Sequence, residues 1–215
     1  MLAAGNPCCE AIRKIARLRA AGVTVAAGHT NATYERLQSA LAAGVTGFTH
    51  LFNAMSPLTS RAPGAVGAAL EDAASWCGII LDGRHIHPAT LAIAFRAKRL
   101  DRFMLVTDAM PSVGMTQKTF TLQGRIIRVV DGVCIDEDGV LAGSDLDMMG
   151  AVRNAVRIAG LPLETAAAMA SGAPAAFLGL DHHLGRIAVG HRASLVVADA
   201  DLTCVDTWID GRRAG

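Results

Sequence analysis

The sequence predicts an α/β protein, and three observations carry that prediction. Four short apolar runs, Val23–Ala27, Gly47–Thr49, Ser75–Leu81 and Phe103–Val106, lack polar alternation, as strands buried on both faces do. Stretches with helical spacing separate them, which is the βαβα pattern of a parallel sheet. The runs lead into polar residues, His29, His50, Asp82 and Asp108, and in parallel α/β folds the strand C-termini face the active site. Four such units make half of an eight-stranded barrel or most of a small open sheet, and periodicity leaves both open.

Taken in order, Met1–Pro7 shows no clear pattern. Cys9–Ala21 carries Ile12, Ile15, Ala16 and Leu18 at helical spacing, with Arg13, Lys14, Arg17 and Arg19 largely opposite and Gly22 as the stop. After the strand Val23–Ala27, Thr30 or Asn31 can cap a helix over Ala32–Ala43. Gly44 ends that helix, and Gly47–Leu51 is the second strand. Asn53–Gly67, with Pro57, Arg61 and Pro63, reads as a loop. The third strand, Ser75–Leu81, runs into Asp82-Gly83-Arg84-His85-Ile86-His87-Pro88, and Pro88 suits the first turn of a helix over Ala89–Arg99. Phe103–Val106 is the fourth strand. Phe120–Leu141 has strand-like runs broken at Gly124, Asp131-Gly132 and Asp138-Gly139, which read as hairpin turns. Leu141-Ala142-Gly143-Ser144 leads into a helix over Leu146–Ala159. Leu163–Ser171 and Pro174–Leu178 are further helical pieces, and Ser194–Ala198 and Cys204–Ile209 are short strands.

Composition narrows the function. The 20 basic and 19 acidic residues nearly cancel, so no basic stripe points to nucleic acid and nothing draws the chain to a membrane. The apolar stretches are interrupted too early to span a bilayer. The five cysteines are odd in number and lack CxxC spacing, against a zinc ribbon or a disulfide framework. A reducing, cytoplasmic setting is expected, with no signal peptide.

The strand ends hold the chemistry. His29 and His50 lie one β/α unit apart, as two imidazole ligands of Zn²⁺ or a similar ion do; the plainer alternative is a pair of histidines bonded to buried backbone. Gly28 permits a sharp strand exit, and Asn31 and Asn53 add polar groups to that rim. Asp108 follows the fourth strand, where a carboxylate can take a proton from water and pass it to a leaving amine, or merely cap a helix. His85 and His87 point oppositely if extended, so one enters the site, and an imidazole N–H there can donate to a developing oxyanion. His87 reads as a residue at the start of the next helix, and Asp82 with Gly83 as a turn. Arg61 has no acidic neighbour closer than Glu71, and its functional partner would be a substrate phosphate or carboxylate. His182, His183 and His191 read as surface residues.

Gly28-His29-Thr30-Asn31-Ala32, Thr49-His50-Leu51-Phe52-Asn53-Ala54-Met55, Asp82-Gly83-Arg84-His85, Val106-Thr107-Asp108-Ala109 and Leu141-Ala142-Gly143-Ser144 occur in that order. Together they resemble the N-acetylglucosamine-6-phosphate deacetylase family of the amidohydrolase superfamily. The tail from Gly185-Arg186-Ile187 to Ala193-Ser194-Leu195-Val196-Val197 resembles the usual amidohydrolase ending. The resemblance implies the C-terminal half of a TIM-type (β/α)₈ barrel over residues 1–180, with a β-hairpin insertion at 119–141. Residues 181–215 would be strands of a small β-sandwich domain. It implies hydrolysis of the N-acetyl group of an amino-sugar 6-phosphate, with acetate and the free amine as products. His29 and His50 would bind a divalent metal, Zn²⁺ first, with Fe²⁺ or Co²⁺ as alternatives. Asp108 would be the general acid/base and His85 would polarise the acetyl carbonyl. Asn53 and Ala54, through backbone N–H groups, and Arg61 would hold the phosphate, and Leu141 would line the sugar or acetyl pocket. In this family the arginine can come from a neighbouring subunit, so a homodimer is implied.

One departure is large. The family places a further metal ligand, a glutamate in a His-x-Glu-Gly-Pro motif, well upstream of the first metal histidine, and this sequence has no such motif. Residues 2–7 also differ from the family's usual Leu-Ala-Pro-Glu. An N-terminally truncated deacetylase is therefore expected, with two alternatives. One is an inactive fragment that binds sugar phosphate or pairs with a missing half. The other is a dihydroorotase- or aminoacylase-like enzyme, disfavoured because no lysine lies between Lys14 and Lys98. Four strands without neighbours should leave apolar edges exposed around Val23–Ala27 and Phe103–Val106.

Overall fold

The structure, a computed structural model, describes residues 9–214. The segment Met1–Pro7 lies outside them. Helix α1 (Cys9–Ala20) ends where Gly22 adopts φ +79°, with Val23 N–H donating to Leu18 O and Gly22 N–H to Arg19 O, a glycine-closed C-terminus. Strands β1 (Val25–Ala27), β2 (Val45–Phe48), β3 (Trp76–Ile80) and β4 (Phe103–Val106) form one four-stranded sheet in chain order, every pair parallel. Helices α2 (Tyr34–Ala42), α3 (Gly64–Glu71) and α4 (Pro88–Ala97) connect them. Leu37, Ala68, Ile79, Leu91 and Leu105 join one buried core with Ala151 and Met169 of the later helices.

Two boundaries differ from the sequence expectation, for local reasons. Helix α2 starts at Tyr34 rather than Ala32, and neither Thr30 nor Asn31 caps it. The Thr30 hydroxyl instead accepts from Ala32 N–H, while its backbone bridges to Met55, so residues 29–33 follow the strand-end loop. The expected loop over Asn53–Gly67 gives way at Gly64 to α3, whose residues 64–70 are all buried. A helix of Gly, Ala, Val and Leu buried on every side has no polar face, so its period is invisible. Lys98 closes its C-terminus: the buried ammonium donates to Ala69 O and Asp72 O and to the Ser75 hydroxyl.

After β4 come β5 (Thr119–Leu122), β6 (Arg125–Val130), β7 (Val133–Ile135) and β8 (Leu141–Ser144), an antiparallel sheet. Positive φ at Gln123-Gly124 and Asp131-Gly132 marks two-residue hairpin turns. Leu141–Ser144 is thus a strand, not merely a lead into the next helix. Helices α5 (Met148–Arg157), α6 (Leu163–Ala170) and α7 (Gly172–Phe177) follow. They correct the expectation of an exposed flank at β4: Phe103 is 0% and Leu105 1% exposed, with α5, α6 and α7 packed against the strand. Val25 of β1 is buried as well. Val23, just before β1, is exposed as expected, and further exposed apolar residues lie in the tail sheet of β9 (Leu195–Ala198), β10 (Cys204–Ile209) and β11 (Arg212–Arg213), at Val196, Val197, Val205 and Ile209. Among the described residues no helix is long and apolar enough to cross a membrane.

Candidate active site

The parallel sheet brings four strand C-termini to one rim. Beyond β1 and β2 the chain turns sharply, and His29 and His50 take φ +47° and +21°. Beyond β4, Asp108 takes φ +52°. Left-handed backbone at a non-glycine residue costs about 1–3 kcal/mol and persists only where its surroundings dictate it. Here the surroundings are tight. A Cβ on Gly28 would come within 2.0 Å of Thr49 Cγ2, and one on Gly78 within 3.2 Å of His50 N. Glycine therefore lets adjacent strand ends close up, with Leu51 N–H donating to Gly78 O at 2.8 Å.

The two histidines converge. Their Nε2 atoms lie 2.8 Å apart and their rings meet edge to face. Two nitrogens bound to one tetrahedral ion at about 2.0–2.1 Å lie about 3.3 Å apart, so the pair fits two positions of one metal after a small separation. His50 is buried, and its Nδ1 has no partner among the described residues. Those residues hold no group of three or more His, Cys, Asp or Glu placed for an ion. Two imidazoles are fewer than the three protein ligands of typical catalytic zinc sites.

Asp108 is held from the far side by β8. Ser144 N–H donates to Asp108 O, Met110 N–H to Ser144 O, and the buried Ser144 hydroxyl to Thr107 O. Gly143 is required beneath it, because a Cβ there would meet Met110 Cγ at 2.8 Å and Asp108 O at 2.9 Å. The hairpin sheet thus fixes the backbone of the candidate general acid/base, while its side chain stands at an exposed position on the rim.

At the end of β3, His85 is paired. Its Nδ1 lies 2.5 Å from Asp82 Oδ2, with both side chains almost wholly buried. The Asp82 turn expected from sequence is present, since Oδ1 accepts from Arg84 N–H and His85 N–H, but the residue also grips the ring. Burial pushes the Asp82 carboxyl up, and the hydrogen bonds from the His85 ring and the two N–H groups outweigh it, holding it below the usual range. His87 is the N-cap of α4, its Nδ1 accepting from Ala89 N–H.

The remaining candidates lie along the loop after His50. Asn53 N–H donates to His50 O at 3.0 Å, so that group is engaged, while Ala54 N–H has no acceptor among the described residues. Thr30 N–H donates to Ala54 O and Ser56 N–H to Thr30 O, which ties this loop to the His29 loop. Arg61 sits exposed in a turn closed by Thr59 and Ala62, with no ion-pair partner among the described residues. Leu141 is exposed at the start of β8. Cys77, buried beneath the sheet with its thiol pushed up to about 12 by burial, is no nucleophile.

Residues 3–214 match the amidohydrolase family. The chain belongs to the amidohydrolase family. It is 46% identical over 200 residues to N-acetylgalactosamine-6-phosphate deacetylase of Shewanella sp. (strain ANA-3), covering 92% of this chain and 50% of that protein. It is 40% identical over 202 residues to N-acetylglucosamine-6-phosphate deacetylase of Vibrio furnissii, covering 94% and 50%. The chain spans about half the length of these curated relatives. Among solved structures, N-acetylglucosamine-6-phosphate deacetylase from Pasteurella multocida superimposes with TM-score 0.92 at 36% identity, over 98% of this chain and 55% of that one. A mutant of the Mycobacterium smegmatis enzyme in complex with N-acetyl-D-glucosamine-6-phosphate superimposes with TM-score 0.88 at 38% identity, over 94% and 54%. Amidohydrolases generally use a divalent metal.

Proposed function

We propose that this chain carries the metal-histidine rim of an enzyme that hydrolyses the N-acetyl group of N-acetylglucosamine 6-phosphate, giving glucosamine 6-phosphate and acetate. The observation that carries this is the convergence of His29 and His50 at 2.8 Å. The four-stranded sheet is then half of a (β/α)₈ barrel over residues 1–180, with 119–141 as its insertion, and 181–215 belongs to a small β-sandwich domain. The other half supplies the remaining metal ligand.

A divalent ion, Zn²⁺ or another that suits imidazole such as Fe²⁺ or Co²⁺, would polarise the acyl oxygen and acidify the attacking water. Asp108 takes the proton of that water as it adds to the acyl carbon, then gives it to the amine nitrogen as the C–N bond breaks. His85 donates a ring N–H to the acyl oxygen as charge develops there. Ala54 N–H, the Asn53 segment and Arg61 bind the 6-phosphate, Arg61 across a homodimer interface, and Leu141 packs on the sugar or acetyl group. The free thiols suit a reducing, cytoplasmic compartment.

Acetate release tests this. The chain with Zn²⁺ is assayed alone and mixed with the N-terminal half of the Vibrio furnissii relative, on both amino-sugar epimers, because the Shewanella relative is named for galactosamine. Release is expected from the mixture and not from the chain alone. No release from any mixture favours a fragment that only binds sugar phosphate.

A further inference from the structure

We infer that Asp82 is a positioning residue for His85, one that fixes the ring proton on Nδ1 and turns Nε2 toward the substrate; this rests on the role given to His85 above. Both carboxylate oxygens are committed. Oδ1 accepts from Arg84 N–H and His85 N–H, each at 2.8 Å, which fixes the turn that carries the histidine. Oδ2 lies 2.5 Å from His85 Nδ1, which fixes the ring within that turn. The turn is itself supported from α5: Asn154 Nδ2 donates to Leu81 O at 2.9 Å, and Ile158 Cδ1 lies 3.1 Å from where a Cβ on Gly83 would stand. Gly83, with φ +75°, meets both demands.

The chemistry follows from the inventory of the two groups. An ionised carboxylate only accepts, so the shared proton sits on Nδ1. Nε2 is then the only ring nitrogen left for a substrate. In the neutral ring it is a lone pair, and it becomes a donor only when the ring carries both protons. Donation to an acyl oxygen therefore requires the imidazolium, a charge almost wholly buried here, with side-chain exposures of 3% for His85 and 6% for Asp82. A buried cation without a partner is costly, and the Asp82 carboxylate is the adjacent opposite charge that offsets it. Asp82 thereby sets both the direction of the ring and the proton count it can sustain.

Ring-nitrogen NMR of the ¹⁵N-labelled chain tests this without turnover, with His85 assigned by the loss of its signals in His85→Gln. Wild-type His85 should have Nδ1 protonated, whatever the state of Nε2. A bare Nδ1 would overturn the assignment. Asp82→Asn is the informative variant. The amide oxygen can still accept both N–H groups of the turn, whereas its NH₂ cannot accept from Nδ1. His85 should switch to the Nε2–H tautomer while the His87 and His191 signals stay in place. A His85 spectrum unchanged by Asp82→Asn would also overturn it. In the complemented preparation, Asp82→Asn leaves His85 only a neutral Nε2–H donor in place of the imidazolium, and should lower kcat about 10- to 100-fold with KM within about twofold. A loss confined to KM would contradict a positioning role. An inactive mixture would defeat the deacetylase assignment instead, and the tautomer would still decide the role of Asp82.

Discussion

His29, His50 and Asp108 share left-handed backbone at the ends of three strands, a conformation that the sequence does not announce. Their residue types were legible, because an imidazole or carboxylate after an apolar run is chemically conspicuous. Their partners were not. Asp82 reads as a turn because Asp-Gly is a turn dipeptide, and only the fold shows that its second oxygen holds His85. The Asp-x-x-His spacing was the available signal. Asp108→Asn should lower turnover of the complemented enzyme by at least about 10² with substrate binding retained, checked by steady-state kinetics. Asp82 also gives a pH prediction. Its carboxyl is depressed below 3.8 in the folded chain, so its stabilisation is complete above that value and is lost as pH falls through the folded value. Urea unfolding of wild type and Asp82→Asn should differ near neutral pH and converge at acid pH. Lys98→Met should destabilise the chain by about 1–3 kcal/mol at neutral pH, because Ala69 O and Asp72 O are left without their donor.

At the scale of elements, the four strands and most helices were readable from apolar runs and helical spacing. Helix α3 was not, because Gly64–Leu70 is buried all round and Pro63 and two glycines imitate a loop. The turn at Asp131-Gly132 was readable because that pair is specific for a two-residue hairpin, whereas Asp138-Gly139 lies in the longer connection between Ile135 and Leu141. What the sheet does was hidden: β8 holds the Asp108 backbone through Ser144, a contact made 36 residues along the chain. Gly143→Ala should therefore damage activity as well as stability. It forces Cβ against Met110 and Asp108 O at φ +105°, which displaces the candidate general acid/base. Loss of turnover beyond the change in folded fraction, followed by circular dichroism, checks it. Asp147→Ala, by contrast, removes the N-cap of α5, whose side chain accepts from Gly150 N–H. It should cost about 1 kcal/mol of stability and leave kcat unaffected.

For the whole molecule, the tail sheet exposes Val196, Val197, Val205 and Ile209, and among the described residues no further His, Cys, Asp or Glu joins His29 and His50 in a group placed for an ion. Helices α5, α6 and α7 bury β4, so one of the two edges expected to be exposed is already covered. The assignment that matters most is that His29 and His50 together hold the catalytic metal once the remaining ligand is supplied. Its most direct test is the metal content of the complemented assembly after dialysis, by elemental analysis, for wild type, His29→Ala and His50→Ala. Wild type should retain one divalent ion per assembled site, and each variant should lose it along with acetate release. Full metal content in both variants would contradict the claim and place the metal elsewhere.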